Sequence, residues 1–305
     1  MIGIVTVLYN CAPVLGEFFQ TLNEQTYKDF ILYVIDNKSS DNSLEEAERL
    51  SQIVDFKSVM LPQEENGGVA RGNNIGIKAA LEDKCDHVLL ANNDIVLEPD
   101  SIEKLLEGMN RHGATMAVPK IYYWNTDKII WMAGGKFKWL KARTKHRGER
   151  KRDNGQYDVD GNIEYAPTCF MLIQSDVFHR IGLMDERYFV YFDDTDFIWR
   201  AIKKGRERLY YIHESLIHHK VSFSTGGDES NFSIRYTNRN RVLFVLKHYG
   251  FFHKICVFLF LLFKFCLKDC RRLNREQAKL QWQSYLRGVK DFKSYDKDDK
   301  AVVVK

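Results

Sequence analysis

Short apolar runs alternate with segments of helical spacing over the first hundred residues of this chain. Ile2–Leu8, Phe30–Ile35 and His87–Ala91 are aliphatic and β-branched runs of strand length. The segments Val14–Gln25 and Ala70–Leu81, which lie between such runs, have the spacing of helices. This alternation predicts an α/β fold, with a doubly wound, mostly parallel central sheet flanked by helices.

Polar residues stand where the predicted strands end. Tyr9, Asn10, Asp36 and Asp94 lie at or just beyond the end of an apolar run. Ligands of open α/β sheets bind at the carboxyl ends of the strands. These side chains are therefore predicted to share one ligand-binding edge.

The charge balance argues against one broad class of function. Lysine and arginine number 45 against 41 carboxylates, which leaves a net charge of +4. Because the cations are mixed with acids, binding of nucleic acid is not indicated. The local exceptions are a basic run over 136–152 and a second basic group that could also face phosphate or anionic lipid. The second group consists of Lys264, Lys268, Arg271, Arg272 and Arg275.

Two features bear on the compartment in which the chain works. The six cysteines lack C-x-x-C spacing and the first residues lack the pattern of a signal peptide, so we expect a cytoplasmic protein. The apolar stretch Ile255–Phe263 is shorter than the roughly 20 residues of a membrane span. With its aromatic and basic neighbours it is interpreted as a helix lying on a bilayer. Packing against the core, or in a homodimer, is the alternative.

Asn92-Asn93-Asp94 follows the third of these strands and is a candidate metal site. Mg²⁺ and Mn²⁺ prefer oxygen ligands, and Mg²⁺ commonly takes one or two protein carboxylates plus phosphate oxygens. Asn-Asp at the end of a strand is also ordinary turn chemistry.

The acidic cluster Asp193-Asp194-Thr195-Asp196 is a candidate for acid–base chemistry. Carboxylates this close repel one another, so folding must solvate them, pair them or leave one protonated. The simple interpretation is a helix N-terminus that favours acids. The aromatic neighbours indicate partial burial instead, which suits a carboxylate that accepts a proton.

Two further segments are candidates for ligand binding. One residue of His218-His219 could complete a metal site with Asp94, and the two must point to opposite faces if they lie in a strand. Residues 66–74 place glycines and amides at the start of a helix, where backbone N–H groups can approach an anion. The segment matches neither G-x-G-x-x-G nor a P-loop, so a dehydrogenase or an NTPase is not supported.

Eight segments of the chain, taken together, resemble one enzyme family. They are TVLYN, VIDNKSSDNS, ENGGVARGNNIGI, LLANNDIVL, WMAGG, IGLMDERYFVYFDDTDFIWRAIKKG, IHHKVSFST and RYTNRNRVLF. In this order they resemble the family 2 inverting glycosyltransferases with the GT-A fold, particularly the rhamnosyltransferase-like branch of bacterial surface polysaccharide synthesis. The resemblance implies a GT-A domain over 1–245, with a nucleotide-binding half over 1–100 and an acceptor-binding half over 101–245. A helical, basic and aromatic extension follows over 246–305.

The resemblance assigns a role to each matching residue. Asp194 is the expected general base, and Asp193 binds or positions the acceptor. Asp94 is the expected chief ligand of Mg²⁺ or Mn²⁺, with His219 as a second ligand. Residues assigned to the nucleotide and donor sugar are Tyr9, Asn10, Asp36, Asn66, Gly67, Arg71, Asn74, Asn92 and Asn93. Residues assigned to the acceptor are Trp131, Thr168 and Cys169.

Two departures from the family pattern bear on the implied reaction. Asn92 replaces the first acid of a D-x-D motif, which leaves fewer negative metal ligands. No Q-x-x-R-W follows the acidic pair, which favours transfer of a single sugar over polymerisation.

The resemblance thus implies inverting, metal-dependent transfer of one sugar. The donor is a nucleoside-diphosphate sugar built on dTDP, UDP or GDP, and the acceptor is a hydroxyl of a glycan or a polyprenyl-linked acceptor. Contact with the inner face of the cell membrane is expected through residues 251–275. The alternative is a non-catalytic protein on the same fold that binds sugar nucleotides or glycans.

Overall fold

One ten-stranded sheet runs through the part of the chain that the computed structural model describes, residues 1–220 and 230–295. Its strands are β1 (Ile2–Leu8), β2 (Phe30–Asp36), β3 (Lys57–Met60), β4 (His87–Ala91), β5 (Ile95–Leu97), β6 (Met116–Tyr123), β7 (Ile130–Met132), β10 (Gly161–Asn162), β11 (Phe170–Gln174) and β12 (Leu209–His219). β8 (Gly135–Lys138) and β9 (Arg143–His146) form a separate antiparallel hairpin.

The strand order of the sheet is β10-β12-β6-β11-β4-β1-β2-β3, with β5 on β12 and β7 on β6. The strands β4, β1, β2 and β3 are parallel to their neighbours in this group, and β6 is parallel to β12. The antiparallel β11 joins the two parallel groups. The predicted doubly wound, mostly parallel sheet is confirmed.

Helices pack on the sheet and extend beyond it at the C-terminal end. They are α1 (Ala12–Asn23), α2 (Ser43–Ser51), α3 (Gly68–Glu82), α4 (Ser101–Arg111), α5 (Ser175–Ile181), α6 (Asp193–Trp199), α7 (Asn231–His248), α8 (Phe251–Lys264), α9 (Cys270–Arg272) and α10 (Arg275–Tyr295). No helix within the described ranges is both long and apolar enough to cross a bilayer.

The strongest apolar patterns predict the element bounds best. β1 and β4 run over the predicted residues, because strands of a covered parallel sheet are apolar along almost their whole length. The apolar character of Leu209–Ile212 and Leu216–His218 predicts two separate strands. They form the single strand β12, with a register shift between Ile212 and Leu216.

The sequence also predicts a helix over Thr195–Lys204, and the observed helix differs from this prediction at both ends. It begins at Asp193, because the partial positive charge of a helix N-terminus favours the acids there. Its last turns, Arg200–Gly205, form a π-helix.

The C-terminal helices fold back on the sheet domain. α10 lies along α7, where a Cβ on Gly288 would come within 2.5 Å of the carbonyl oxygen of Arg239. Arg239 Nε also lies 2.8 Å from Asp291 Oδ2. From the sequence we expect a loose chain after about Asp291, and this prediction is wrong for residues 292–295, which belong to α10. The rest of that tail, and the end of the segment IHHKVSFST, lie outside the described residues.

Candidate active site

A cleft of about 950 Å³ opens where β1, β4 and β12 end. The loop before α6, the hairpin β8–β9 and α7 also contribute side chains to it. Predicted site residues that line the cleft are Tyr9, Asn66, Asn92, Asn93, Asp94, Trp131, Thr168, Cys169, Asp193, Asp194 and His219. The fold thus brings together side chains that are more than 200 residues apart in the chain.

Asp94 and His219 form the closest pair of candidate metal ligands. β5 pairs with the end of β12, which places His219 opposite Ile95, directly after Asp94. Nε2 of His219 lies 3.2 Å from Oδ1 of Asp94, and both residues are buried. His218 points to the other face and pairs with Glu98 at 2.9 Å, as alternation along a strand requires.

The chemistry of this pair fits a divalent cation that is shared with a substrate. In the described segments, no cluster of three or more His, Cys, Asp and Glu side chains is arranged to hold a metal ion. Mg²⁺ is often held by one or two protein ligands and completed by phosphate oxygens. Nδ1 of His219 is buried without a hydrogen-bond partner among the described residues, so the imidazole is not committed to a second protein group.

Both carboxylate oxygens of Asp194 accept hydrogen bonds. The Tyr165 hydroxyl donates to Oδ2 at 2.5 Å, and the Thr195 hydroxyl donates to Oδ1 at 3.0 Å. Burial raises the pKa of Asp194, although these hydrogen bonds act in the opposite direction. The side chain combines a fixed orientation with a raised proton affinity, and both properties suit a general base.

Asp193 is the more deeply buried member of the pair, with 5% of its surface exposed. Burial, and next the charge of Asp194, raise the pKa of Asp193 to about 8. This pKa favours the protonated form of Asp193 near neutral pH, beside Asp194.

Asp196, the third acid of the cluster, belongs to a network that points away from the cleft. Burial opposes its ionisation, but a hydrogen bond from His248 at 2.6 Å and the charges of Lys247 and Arg200 hold the pKa of Asp196 well below its usual range. Arg200 Nε lies 2.8 Å from Asp196, and the same guanidinium donates to the carbonyls of Ile181 and Leu183. Through these contacts Asp196 and Arg200 join α6 to the segment that follows α5.

The loop before α6 is held by a buried amide of α7. Phe189, Tyr191 and Phe192 all have positive φ, a conformation that bulky residues rarely adopt. The side-chain amide of Asn240 donates to the carbonyls of Tyr188, Val190 and Tyr191 at 2.7–2.9 Å. This amide fixes the loop that delivers Asp193 and Asp194 to the cleft.

Five of the residues assigned to the donor do not line the cleft. The side-chain amide oxygen of Asn10 accepts from the backbone N–H of Ser40, and the carboxylate of Asp36 accepts from the backbone N–H of Ser39. Arg71 pairs with Glu65 at the surface. Asn74 is committed to the 184–186 segment, because its amide donates to Met184 and Glu186. Gly67 is the fifth, and the donor-binding role of these residues stays a prediction.

Several cleft residues carry no individual assignment from the sequence. They are Tyr165 and Thr195, which hold Asp194, and Arg143, Tyr236 and Arg241. Arg241 lies within the segment RYTNRNRVLF and Arg143 within the basic run over 136–152. Both segments were identified, but spacing alone does not show which of their cations turns toward the cleft.

Sequence comparison points to one family. The model described as glycosyl transferase family 2 matches residues 3–182. An N-acetylglucosaminyl-diphospho-decaprenol L-rhamnosyltransferase of Mycobacterium tuberculosis is 23% identical over 278 residues, which cover 82% of this chain and 86% of the relative. Glycosyltransferase GlyG of Streptococcus pneumoniae is 24% identical over 192 residues, and the match spans 62% of each chain.

Solved structures share the fold at low sequence identity. GalNAc-T7 with UDP, GalNAc and Mn²⁺ matches with a TM-score of 0.68 and 14% identity over 99% of this chain and 58% of that chain. Staphylococcus aureus TarS 1–349 in complex with UDP-GlcNAc matches with a TM-score of 0.56 and 16% identity over 95% of this chain and 80% of that chain. Both neighbours have the GT-A arrangement seen here.

Proposed function

The chain belongs to glycosyl transferase family 2, and we propose that it transfers a single sugar, with inversion, from a nucleoside-diphosphate sugar to a hydroxyl of a glycan or lipid-linked acceptor. The observation that carries this proposal is the presence of Asp194 and the pair Asp94–His219 along one cleft of about 950 Å³. A volume of this size lies within the range of small-molecule pockets, about 300–1,000 Å³.

In the proposed reaction Asp194 accepts the proton of the acceptor hydroxyl. The acceptor oxygen that loses this proton attacks the anomeric carbon of the donor. The bond from that carbon to the diphosphate breaks on the opposite side. A single displacement of this kind inverts the anomeric centre. Tyr165 and Thr195 keep the carboxylate oriented, and Asp193 positions the acceptor beside it.

On the donor side, Asp94 and His219 are the side chains that would hold Mg²⁺ or Mn²⁺. When bound, such a cation supplies stabilisation of the negative charge that develops on the diphosphate leaving group. Trp131, whose ring lies 4.6 Å from that of His219, closes the site on the acceptor side. The assignment of Thr168 and Cys169 to the acceptor is supported by their place in the same cleft wall.

We further propose that α8 contacts the inner face of the cell membrane, where a polyprenyl-linked acceptor would reside. The name of the mycobacterial relative describes such an acceptor. Phe251, Phe252 and Phe263 are 81%, 72% and 65% exposed on α8. Lys264 does not contribute a free charge to this face, because it pairs with Asp269. The side chain of Lys268 lies outside the described residues.

A panel of dTDP-, UDP- and GDP-sugars tests the proposal. We expect one donor to raise the unfolding temperature in the presence of Mn²⁺, and to be hydrolysed slowly or transferred when acceptor is supplied. The Asp94→Asn variant should lose the Mn²⁺-dependent part of the shift. A protein that binds a sugar nucleotide but never turns it over would instead be the non-catalytic binder on the same fold.

A further inference from the structure

A second cavity, of about 710 Å³, lies over the β8–β9 hairpin. We name it the hairpin groove, and its lining consists of residues 137–141, 143–146 and Glu149. Arg143 and Thr144 line both the hairpin groove and the catalytic cleft. The two cavities are therefore neighbours, with these two side chains at their common border.

The hairpin concentrates positive charge in a way that costs stability. Lys136 stands directly opposite Lys145, and Lys138 stands directly opposite Arg143. Like charges in directly opposed positions of an antiparallel pair are destabilising. The charges of Lys136 and other hairpin cations lower the pKa of Lys138. An arrangement that folding alone would disfavour indicates an anionic ligand.

Arg241 of α7 is a buried cation at the cleft, and it points to an anionic ligand independently of the hairpin. It lines the cleft with 8% of its surface exposed, and its Nε has no hydrogen-bond partner among the described residues. Burial, together with the charge of Arg143, lowers the pKa of Arg241. A buried guanidinium nitrogen without a partner is costly unless a ligand completes its hydrogen bonds.

The hairpin groove also lies between the acidic pair and α8. The ring of His146, in the groove, stacks on Tyr165 at 6.2 Å, and Tyr165 in turn holds Asp194. At the other end, the carbonyl of Trp139 accepts from the hydroxyl of Tyr249, just before α8 begins. A ligand along this groove would run from the side of Tyr165 toward the start of α8.

We propose that the hairpin groove and Arg241 bind the diphosphate of a lipid-linked acceptor and direct its lipid chain toward α8. This inference rests on the proposed function, because it assumes that the acceptor hydroxyl lies at Asp194. Diphosphate oxygens would offer Arg241 the missing hydrogen bonds and would offset the repulsion between Lys136, Lys138, Arg143 and Lys145.

Binding of farnesyl diphosphate to the full chain, measured by calorimetry with farnesol as the neutral control, tests this inference. The hairpin variant is Lys138→Glu/Lys145→Glu, and the second variant is Arg241→Met. The matched control reverses two exposed lysines elsewhere, Lys57→Glu/Lys78→Glu. The hairpin variant turns two like-charged pairs into opposite pairs, so its unfolding temperature should not fall.

We expect wild type and control to bind farnesyl diphosphate, and both site variants to bind at least about tenfold more weakly, or about 1.4 kcal/mol. Asp94→Asn, on the donor side, should retain wild-type affinity. Absence of binding by wild type, or unchanged affinity in the hairpin variant, would overturn the inference. So would an equal loss in Asp94→Asn, which would place the diphosphate at the donor site.

Flotation on phosphatidylglycerol vesicles tests whether the hairpin cations bind an anionic lipid surface rather than a lipid diphosphate. A hairpin variant that binds farnesyl diphosphate normally but loses vesicle binding would make these cations a membrane-surface patch, and the groove assignment would be wrong.

The nucleotide-sugar panel reports on the proposed function independently. If the donor is turned over but the hairpin variant binds farnesyl diphosphate as wild type does, only the proposed diphosphate site is rejected. Lipid-diphosphate binding without any donor binding would reject the transferase proposal alone.

Discussion

At the residue scale, Asp194 is the group on which we expect turnover to depend most. The Asp194→Asn variant keeps the shape of the side chain but cannot accept a proton at neutral pH. We expect transfer to fall about 10²- to 10⁴-fold, the usual contribution of a general base. Initial rates with saturating donor measure the change. Asp176→Asn, at an exposed acid of α5, is the matched control and should transfer at the wild-type rate. Near-normal transfer by a folded Asp194→Asn protein would exclude this residue as the base.

The pH dependence of transfer follows from the surroundings of the same carboxylate. Burial raises the pKa of Asp194, so the acid limb of kcat/KM should lie above the ordinary aspartate pKa of about 3.9. The hydrogen bond from Tyr165 favours the ionised form. Tyr165→Phe removes that donor, which raises the pKa further and should move the acid limb to higher pH.

The control for this prediction is Tyr210→Phe, which removes a hydroxyl at the opposite end of β12 from His219. Its pH profile should overlay that of wild type. An acid limb in Tyr165→Phe at the wild-type position, or at lower pH, would contradict the assignment of the limb to Asp194.

At the element scale, the acidic pair depends on how α7 holds the loop before α6. Asn240→Leu fills a similar volume but leaves the carbonyls of Tyr188, Val190 and Tyr191 without their donor. We expect the free energy of unfolding to fall by about 1–3 kcal/mol. Transfer, measured well below the unfolding temperature, should fall further than the unfolded fraction explains, because the loop carries Asp193 and Asp194. Urea denaturation and kcat together measure both effects.

The matched control lies two residues away on the same helix. The amide of Asn238 is also buried but donates to the carbonyl of Ile234 within α7. Asn238→Leu should therefore cost less stability and leave kcat near the wild-type value. Equal effects of the two substitutions would mean that Asn240 acts through the helix rather than through the loop.

At the scale of the whole molecule, the sequence predicts the sheet well because its signal is local. β1 and β4 have unbroken apolar runs, which only a sheet covered on both faces can bury. The convergence of Asp94, Asp194 and His219 on one cleft follows from the resemblance and from strand ends that share one edge. The contacts of Asn74 could not be predicted in this way. Its commitment to Met184 joins residues 110 positions apart, which no local pattern reveals.

The same limit explains why the sequence did not single out Tyr165, Arg143 and Arg241. Tyr165 lies in an irregular segment, Arg143 begins the short hairpin strand β9, and Arg241 lies on α7. None of these places is marked by a periodic pattern that points to the cleft. The basic run over 136–152 was visible as charge, but the opposition of Lys138 and Arg143 required the hairpin register. Charge composition therefore identifies the basic segment, while its position beside the cleft is known only from the fold.

We expect the exposed apolar residues of α8 to bind the membrane in which a lipid-linked acceptor would reside. Phe252, Leu259 and Phe263 are exposed on α8, and burial of each such side chain yields about 1.5–3 kcal/mol. Phe252→Ser/Leu259→Ser/Phe263→Ser should therefore lose most of its binding to vesicles of phosphatidylcholine and phosphatidylglycerol, measured by flotation. Ile53→Ser/Val159→Ser, at exposed apolar residues elsewhere, should float like wild type. Unchanged flotation of the triple variant, or a wild-type dimer that the triple substitution converts to monomer, would show that α8 packs against protein rather than lipid.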